Sequence, residues 1–390
     1  MKSDFSEIFM KKYFAGIAVL CLTAGSSVFL ARHRISPLTL LKALPYWNSP
    51  SEVHRIFPER KIEKSRNPFI FERKETEIDP EVGWREGGKI RFSEFLKETN
   101  TQAFLLAKDG TILQEKYFKG KTEESVFPSY SIAKSIVSLL FGTVMINDRK
   151  IFSEEDFAWK YIPEYKNLKG IRMHDFLNMT SGIIFQENYL SVLSDFYLFS
   201  LSSDLGNRLH SYSAPLKPGM IFEYRSVNTF IIGLIIERVT NQRLSVLLQE
   251  RIWKKIGTEW DAGWSLDRED GLEKSYCCLN ARARDFLKIG RLVLQNGKWE
   301  NAEIIPKKWM DKLNHIETVE PDTKFGYNRQ WWYPGTDPNM ICGIGIHGQY
   351  LCINRSKKLI FVKFSEHEAE ADEKLTLQAF EKISETLTEN

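Results

Sequence analysis

The sequence predicts an α+β fold: an antiparallel sheet drawn from distant parts of the chain and flanked by helices. Two strand-like blocks carry that expectation, Ala103–Phe118 and Tyr327–Glu366. Between them, apolar residues recur at helical spacing from Ser131 to Gly297. No internal repeat or low-complexity tract interrupts the stretch after Trp84.

Residues 1–12 form a short N-terminal segment ending in Lys11-Lys12. An uncharged run follows from Tyr13 to Ala31 and closes at Arg32-His33-Arg34. As a helix, its 19 residues would reach about 28 Å, close to the hydrocarbon thickness of a bilayer. Residues 13–31 therefore read as an uncleaved transmembrane anchor, with a cleaved signal as the alternative. Lysine and arginine flank both ends almost equally, so the positive-inside rule barely sets orientation. Residues 32–84 carry scattered Pro37, Pro45, Pro50, Pro58, Pro68 and Pro80 among mixed charge runs, and read as a stalk or linker that then wraps onto the domain. The domain proper is expected at 85–390.

Within the domain, Ala103–Phe118 reads as a hairpin around Asp109-Gly110, a pair suited to a tight primed turn. Ser131–Ile146 is a helix whose start Ser129 or Ser131 could cap. His174–Gly182 is a short helix, and Thr229–Gln242, Leu244–Trp253 and Ala281–Gly297 continue the series. Strands return at 327–334, 348–355 and 358–366, and an amphipathic helix from Ala371 closes the chain.

Composition narrows the function. Among 390 residues, 54 Lys+Arg stand against 51 Asp+Glu with the signs interspersed, which leaves no footprint for nucleic acid. The 7 His and 5 Cys show no zinc-ligand spacing, which argues against a metallohydrolase. Cys21, Cys277, Cys278, Cys342 and Cys352 are too few for a disulfide framework and read as unpaired thiols, although Cys342 and Cys352 could face each other across a hairpin.

Three segments carry candidate chemistry. Ser131-Ile132-Ala133-Lys134 puts a hydroxyl and an ammonium three residues apart on one helix face. A serine becomes a nucleophile when a base takes its proton, and a lysine can do so once burial lowers its pKa. The helix N-terminus favours an oxyanion forming at the serine. Alone the motif is weak, but this lysine stands in an otherwise apolar helix. Tyr224 and Ser226 lie in the loop before a second helix, where a phenol beside an ammonium can relay protons. Gly343–Gln349 forms a third segment, where strand glycines allow close approach and a strand N–H can meet an oxyanion.

In order, S-x-x-K, then P-G-x-x-F-x-Y running into Y-x-S-x-N, then G-I-H-G-Q resemble the serine β-lactamase and penicillin-recognising enzyme superfamily. Within it, the likeness is to class C-like serine hydrolases that include 6-aminohexanoate-dimer hydrolases and esterases, and it spans about Phe104 to Ser365. The resemblance implies a β-lactamase/transpeptidase-like fold with a mainly helical subdomain. It also implies Ser131 as acylated nucleophile, Lys134 as its activator and Tyr224 as proton relay. That acyl-enzyme chemistry requires neither a metal nor an organic cofactor. The oxyanion hole would use the N–H groups of Ser131 and Ile346. Tyr189, Ser226, His347, Gly348 and Gln349 would contact substrate.

Three departures stand out. Ser226 replaces the Asn expected two residues after the tyrosine. The third segment lacks the Lys-Thr-Gly of antibiotic-hydrolysing enzymes. Tyr276-Cys277-Cys278 stands where relatives carry glycine-rich sequence. The expected function is an extracytoplasmic, membrane-anchored serine hydrolase of small-molecule esters or amides. A D-Ala-D-Ala carboxypeptidase or weak β-lactamase at the cell wall, and an inactive scaffold, are the alternatives. The sequence is silent on oligomeric state.

Overall fold

The computed structural model describes residues 24–46, 49–147, 152–335, 339–367 and 372–387. Helices α1 (Ala24–His33) and α2 (Pro37–Ala43) lead into strands β1 (Glu59–Ile62), β2 (Glu72–Arg73), β3 (Glu81–Gly83) and β4 (Lys89–Arg91). Next come helix α3 (Phe92–Glu98), strands β5 (Thr101–Lys108), β6 (Thr111–Tyr117) and β7 (Phe127–Pro128). A helical stretch follows: α4 (Ile132–Asn147), α5 (Met173–Leu177), α6 (Asp195–Leu201), α7 (Leu205–Arg208), α8 (Ser226–Thr240) and α9 (Leu244–Leu248). Strands β8 (Ala262–Ser265) and β9 (Leu279–Ala281) precede α10 (Ala283–Leu294), β10 (Lys298–Trp299), β11 (Ala302–Glu303) and α11 (Lys307–Lys312). The chain ends through β12 (Thr318–Val319), β13 (Gly326–Asn328), β14 (Trp331–Tyr333), β15 (Met340–Gly345), β16 (Gln349–Asn354), β17 (Leu359–Ser365) and helix α12 (Glu373–Thr386).

The main sheet has nine strands in the order β12-β13-β14-β15-β16-β17-β5-β6-β2. All its pairings are antiparallel except β2 with β6. The expected α+β architecture is therefore present, and the two ends of the domain meet where β17 pairs with β5. Alternation along β17 sends Ile360, Val362 and Phe364 to the core shared with α4, α8 and α10, and Leu359 and Phe361 to a second core under α3 and α12. The hairpin turn behaves as its residues dictate, with Asp109 and Gly110 both at positive φ.

Three expectations change, and a fourth lies mostly outside the described residues. The segment read as a stalk enters the fold from residue 50 onward: β1 pairs with β8, β2 with β6, and Ile62, Phe71, Ile78 and Val82 are buried. Charged, proline-spaced sequence hides such strands because their partners lie far away in the chain. Most of the uncharged run lies outside the described residues. Among the described ones, α1 covers its end and no helix is long and apolar enough to cross a membrane. The strand expected at 327–334 is instead β13 and β14, joined by Arg329 and Gln330 at φ +46° and +71°. These non-glycine turn residues are held by tertiary bonds: Arg329 to Glu154, and Gln330 Nε2 to the carbonyls of Phe176 and Leu177.

The four described cysteines are also paired. Cys342 and Cys352 oppose each other in the β15–β16 register with Cα atoms 4.2 Å apart, the close spacing of a non-hydrogen-bonded pair, and form a disulfide. The neighbours Cys277 and Cys278 are likewise bonded to each other.

Candidate active site

The apolar face of α4 buries the helix in the core, and its first turn delivers Ser131 and Lys134 side by side. Lys134 Nζ lies 2.7 Å from Ser131 Oγ and 2.9 Å from the Tyr276 carbonyl oxygen. Lys134 is 1% exposed. Burial pulls its pKa down to about 8, against a smaller upward pull from the Glu187 carboxylate. The net shift corresponds to about 3 kcal/mol disfavouring the ammonium. Ser131, in contrast, is only partly buried.

The backbone before the serine is bent. Tyr130 has φ +43°, a conformation that costs a non-glycine residue of order 1–3 kcal/mol and persists where tertiary contacts over-determine it. Its hydroxyl donates to the Pro50 carbonyl at 2.9 Å and its ring meets His347 edge-on. The supposed stalk thus braces the residue next to Ser131. Ser129 does not serve as a side-chain cap. Its hydroxyl contacts the Tyr130 carbonyl and accepts from Leu279 N–H, tying the turn to β9.

Helix α8 brings the second segment. The Tyr224 ring centre is 5.0 Å from Lys134 Nζ. Trp332 packs at 5.3 Å on one side of that ring and Tyr327 meets it edge-on. Ser226 is fully buried, and both its N–H and Oγ–H donate to Glu187, at 2.7 and 2.6 Å. The carboxylate therefore sits on the positive end of a 15-residue helix. Tyr189 Oη donates to the same carboxylate at 2.9 Å. Asn228, four residues beyond Tyr224, accepts from Ser181 instead.

The third segment abuts the first. A Cβ on Gly345 would come within 3.0 Å of Ser131 N, so only glycine lets the end of β15 lie this close to the serine amide. Ile346 follows it directly at the same strand end. Beyond that point the segment packs on the 365–367 stretch, with the His347 ring still edge-on to Tyr130. His347 Nδ1 is 2.8 Å from the His367 carbonyl, and burial lowers its pKa. Gly348, at φ +83°, packs on His367 and Ser365. Gln349 is 2% exposed, and its Nε2 donates to the carbonyls of His347 and Ser365. The geometry gives Ser226 and Gln349 packing and anchoring positions, a correction to their expected substrate contact.

Sequence reasoning passed over two contributors. Glu187 gathers Ser226 and Tyr189 and biases Lys134, and its proximity to Tyr189 was its sole sequence signal. The Tyr276 carbonyl, beside the paired cysteines, receives Lys134, and a main-chain acceptor leaves no sequence signature. Among the described residues no group of three or more His, Cys, Asp or Glu could hold a metal.

A beta-lactamase family model matches residues 92–381. A 6-aminohexanoate-dimer hydrolase of Paenarthrobacter ureafaciens is 26% identical over 291 residues, 69% of this chain and 74% of that protein. The solved structure of a Bacillus anthracis protein described as a 6-aminohexanoate-dimer hydrolase superposes with TM-score 0.80 at 23% identity, covering 88% of this chain and 95% of the other. A penicillin-binding protein of Bacillus halodurans shares the fold with TM-score 0.58 at 15% identity, over 76% of this chain and all of its own. With its sheet, its helical insertion and nearly three quarters of its length inside that family, the chain belongs to the beta-lactamase family and is a serine hydrolase.

Proposed function

We propose that the chain hydrolyses carboxylic esters or amides through an acyl-enzyme on Ser131. The carrying observation is the 2.7 Å approach of a buried amine, its pKa near 8 and its hydrogen-bond partners two neutral oxygens, to a partly exposed hydroxyl. Lys134 takes the Ser131 proton as Oγ bonds to the substrate carbonyl carbon. The oxyanion is met by the N–H of Ser131 and that of Ile346. The bond to the leaving alcohol or amine breaks as Tyr224 relays the proton to it. Water then cleaves the acyl-enzyme, releasing the acid and restoring Ser131. Tyr189 and His347 flank the substrate at the crevice.

The resemblance to 6-aminohexanoate-dimer hydrolases supports amides as well as esters. A cell-wall peptidase has less support, because Gly343–Gln349 carries no lysine or arginine in place of Lys-Thr-Gly and burial lowers the His347 pKa. We further propose that residues 13–31 anchor the chain in a membrane with the catalytic domain on the extracytoplasmic side. Hydrolysis of p-nitrophenyl acetate by the wild type, lost in Ser131→Ala, is the expected result. Full turnover in that variant overturns the assignment, and stoichiometric labelling by a fluorescent penicillin would favour the peptidase.

A further inference from the structure

Two strips of chain carry or lead into residues of the candidate site, and both expose large apolar side chains. Ile184, Leu190 and Leu193 on the first are 56%, 94% and 60% exposed. Leu216, Met220 and Ile221 on the second are 40%, 67% and 52% exposed. The strips run side by side: Ile184 N–H donates to the Ser213 carbonyl and Gly219 N–H to that of Thr180, each at 2.8 Å. The first strip carries Glu187 and Tyr189, and the second leads straight into Tyr224. Single exposed leucines need no explanation, but six along the rim of one site mark a surface that meets something apolar.

The surroundings of the rim indicate what that is. The chain's 19-residue uncharged run ends in α1, and its exit is fastened just beyond the first strip. The Arg34 carbonyl accepts from Ser203 N–H at 2.7 Å and from Ser203 Oγ–H at 2.8 Å, Ile35 bridges Ser202, and Arg208 lies 3.1 Å from His33 Nδ1. Val28, Leu38 and Leu41 around that exit are 70%, 59% and 63% exposed. Arg32, Arg34 and Lys217 stand exposed among these apolar groups. Apolar side chains with basic residues interspersed suit the boundary between acyl chains and anionic headgroups.

We infer that the rim seats the crevice on an anionic phospholipid bilayer, and that the substrate is a long-chain acyl ester or amide drawn from that surface. This rests on the serine-hydrolase reading and names its substrate class. Ser131 Oγ takes the acyl group, the proton passes to the leaving alcohol or amine, and water releases the fatty acid.

The test uses the full chain with vesicles of phosphatidylcholine and phosphatidylglycerol carrying p-nitrophenyl palmitate, and p-nitrophenyl acetate in solution. Leu190→Ser/Leu193→Ser/Met220→Ser/Ile221→Ser should keep acetate turnover within about twofold and lose palmitate turnover at least tenfold. Leu190→Asp, at a side chain almost wholly in solvent, should lose palmitate selectively without endangering the fold. Equal effects on both esters, or none on either, overturn the inference. So does a change from dimer to monomer by light scattering with the palmitate-to-acetate ratio unchanged, which would make the rim an interface between copies. Acetate turnover surviving in Ser131→Ala would instead sink the underlying hydrolase reading.

Discussion

Lys134 on α4 with Ser131 just before the helix, and Lys363 with Ser365 on β17, are built from the same two groups at similar separations, 2.7 and 2.5 Å. Both amines are buried, and burial brings them to about 8 and about 7 respectively. Their surroundings separate them. Ser131 is partly exposed at a strand end that glycine holds open, with the Tyr224 ring beside the amine. Ser365 is 2% exposed, and the Tyr350 ring packs over its lysine. A lysine stripped of hydration is thus insufficient for chemistry: the hydroxyl it serves must face the space where a carbonyl can enter, with oxyanion donors around it.

Substitutions at the two pairs sharpen that contrast. The largest effect is expected for Ser131→Ala, a fall in kcat/KM for p-nitrophenyl acetate of about 10^4-fold or more with an unchanged Tm. Ser365→Ala should leave the same rate near wild type. Lys134→Ala should cost about 10^3-fold, because the serine loses its proton acceptor. A loss below tenfold would break the assignment of the amine as base.

The pH profile separates the pairs next. An amine base works unprotonated, so kcat/KM should rise with pH through about 8 and level off above it. The Glu187 carboxylate raises the Lys134 pKa, so Glu187→Gln should move that midpoint to lower pH. A midpoint that stays put would show that the carboxylate acts only through Ser226 and Tyr189. The smallest effect is expected at Lys363→Met, where the acetate rate should stay within about threefold; a loss comparable to Lys134→Ala would erase the distinction between the two sites.

What could be read in the residues was local or strongly patterned. Asp109-Gly110 dictates its turn, the apolar face of α4 dictates a buried helix, and i,i+3 spacing alone brings Ser131 to Lys134. The illegible parts depend on distant partners. Strand β1 is four charged-rich residues whose meaning comes from β8 about 200 positions later. Arg329 and Gln330 adopt positive φ only because Glu154 and the end of α5 hold them. Cys342 and Cys352 pair because the β15–β16 register puts them opposite, which spacing alone leaves open. Glu187 looks like any loop acid until α8 presents its N-terminus to it.

Fluorophosphonate labelling followed by peptide mapping tests the central claim most directly. The account predicts one adduct per chain, on Ser131, abolished in Ser131→Ala and slowed in Lys134→Ala. An adduct mapping to another residue, or undiminished labelling of the Ser131→Ala chain, would contradict it.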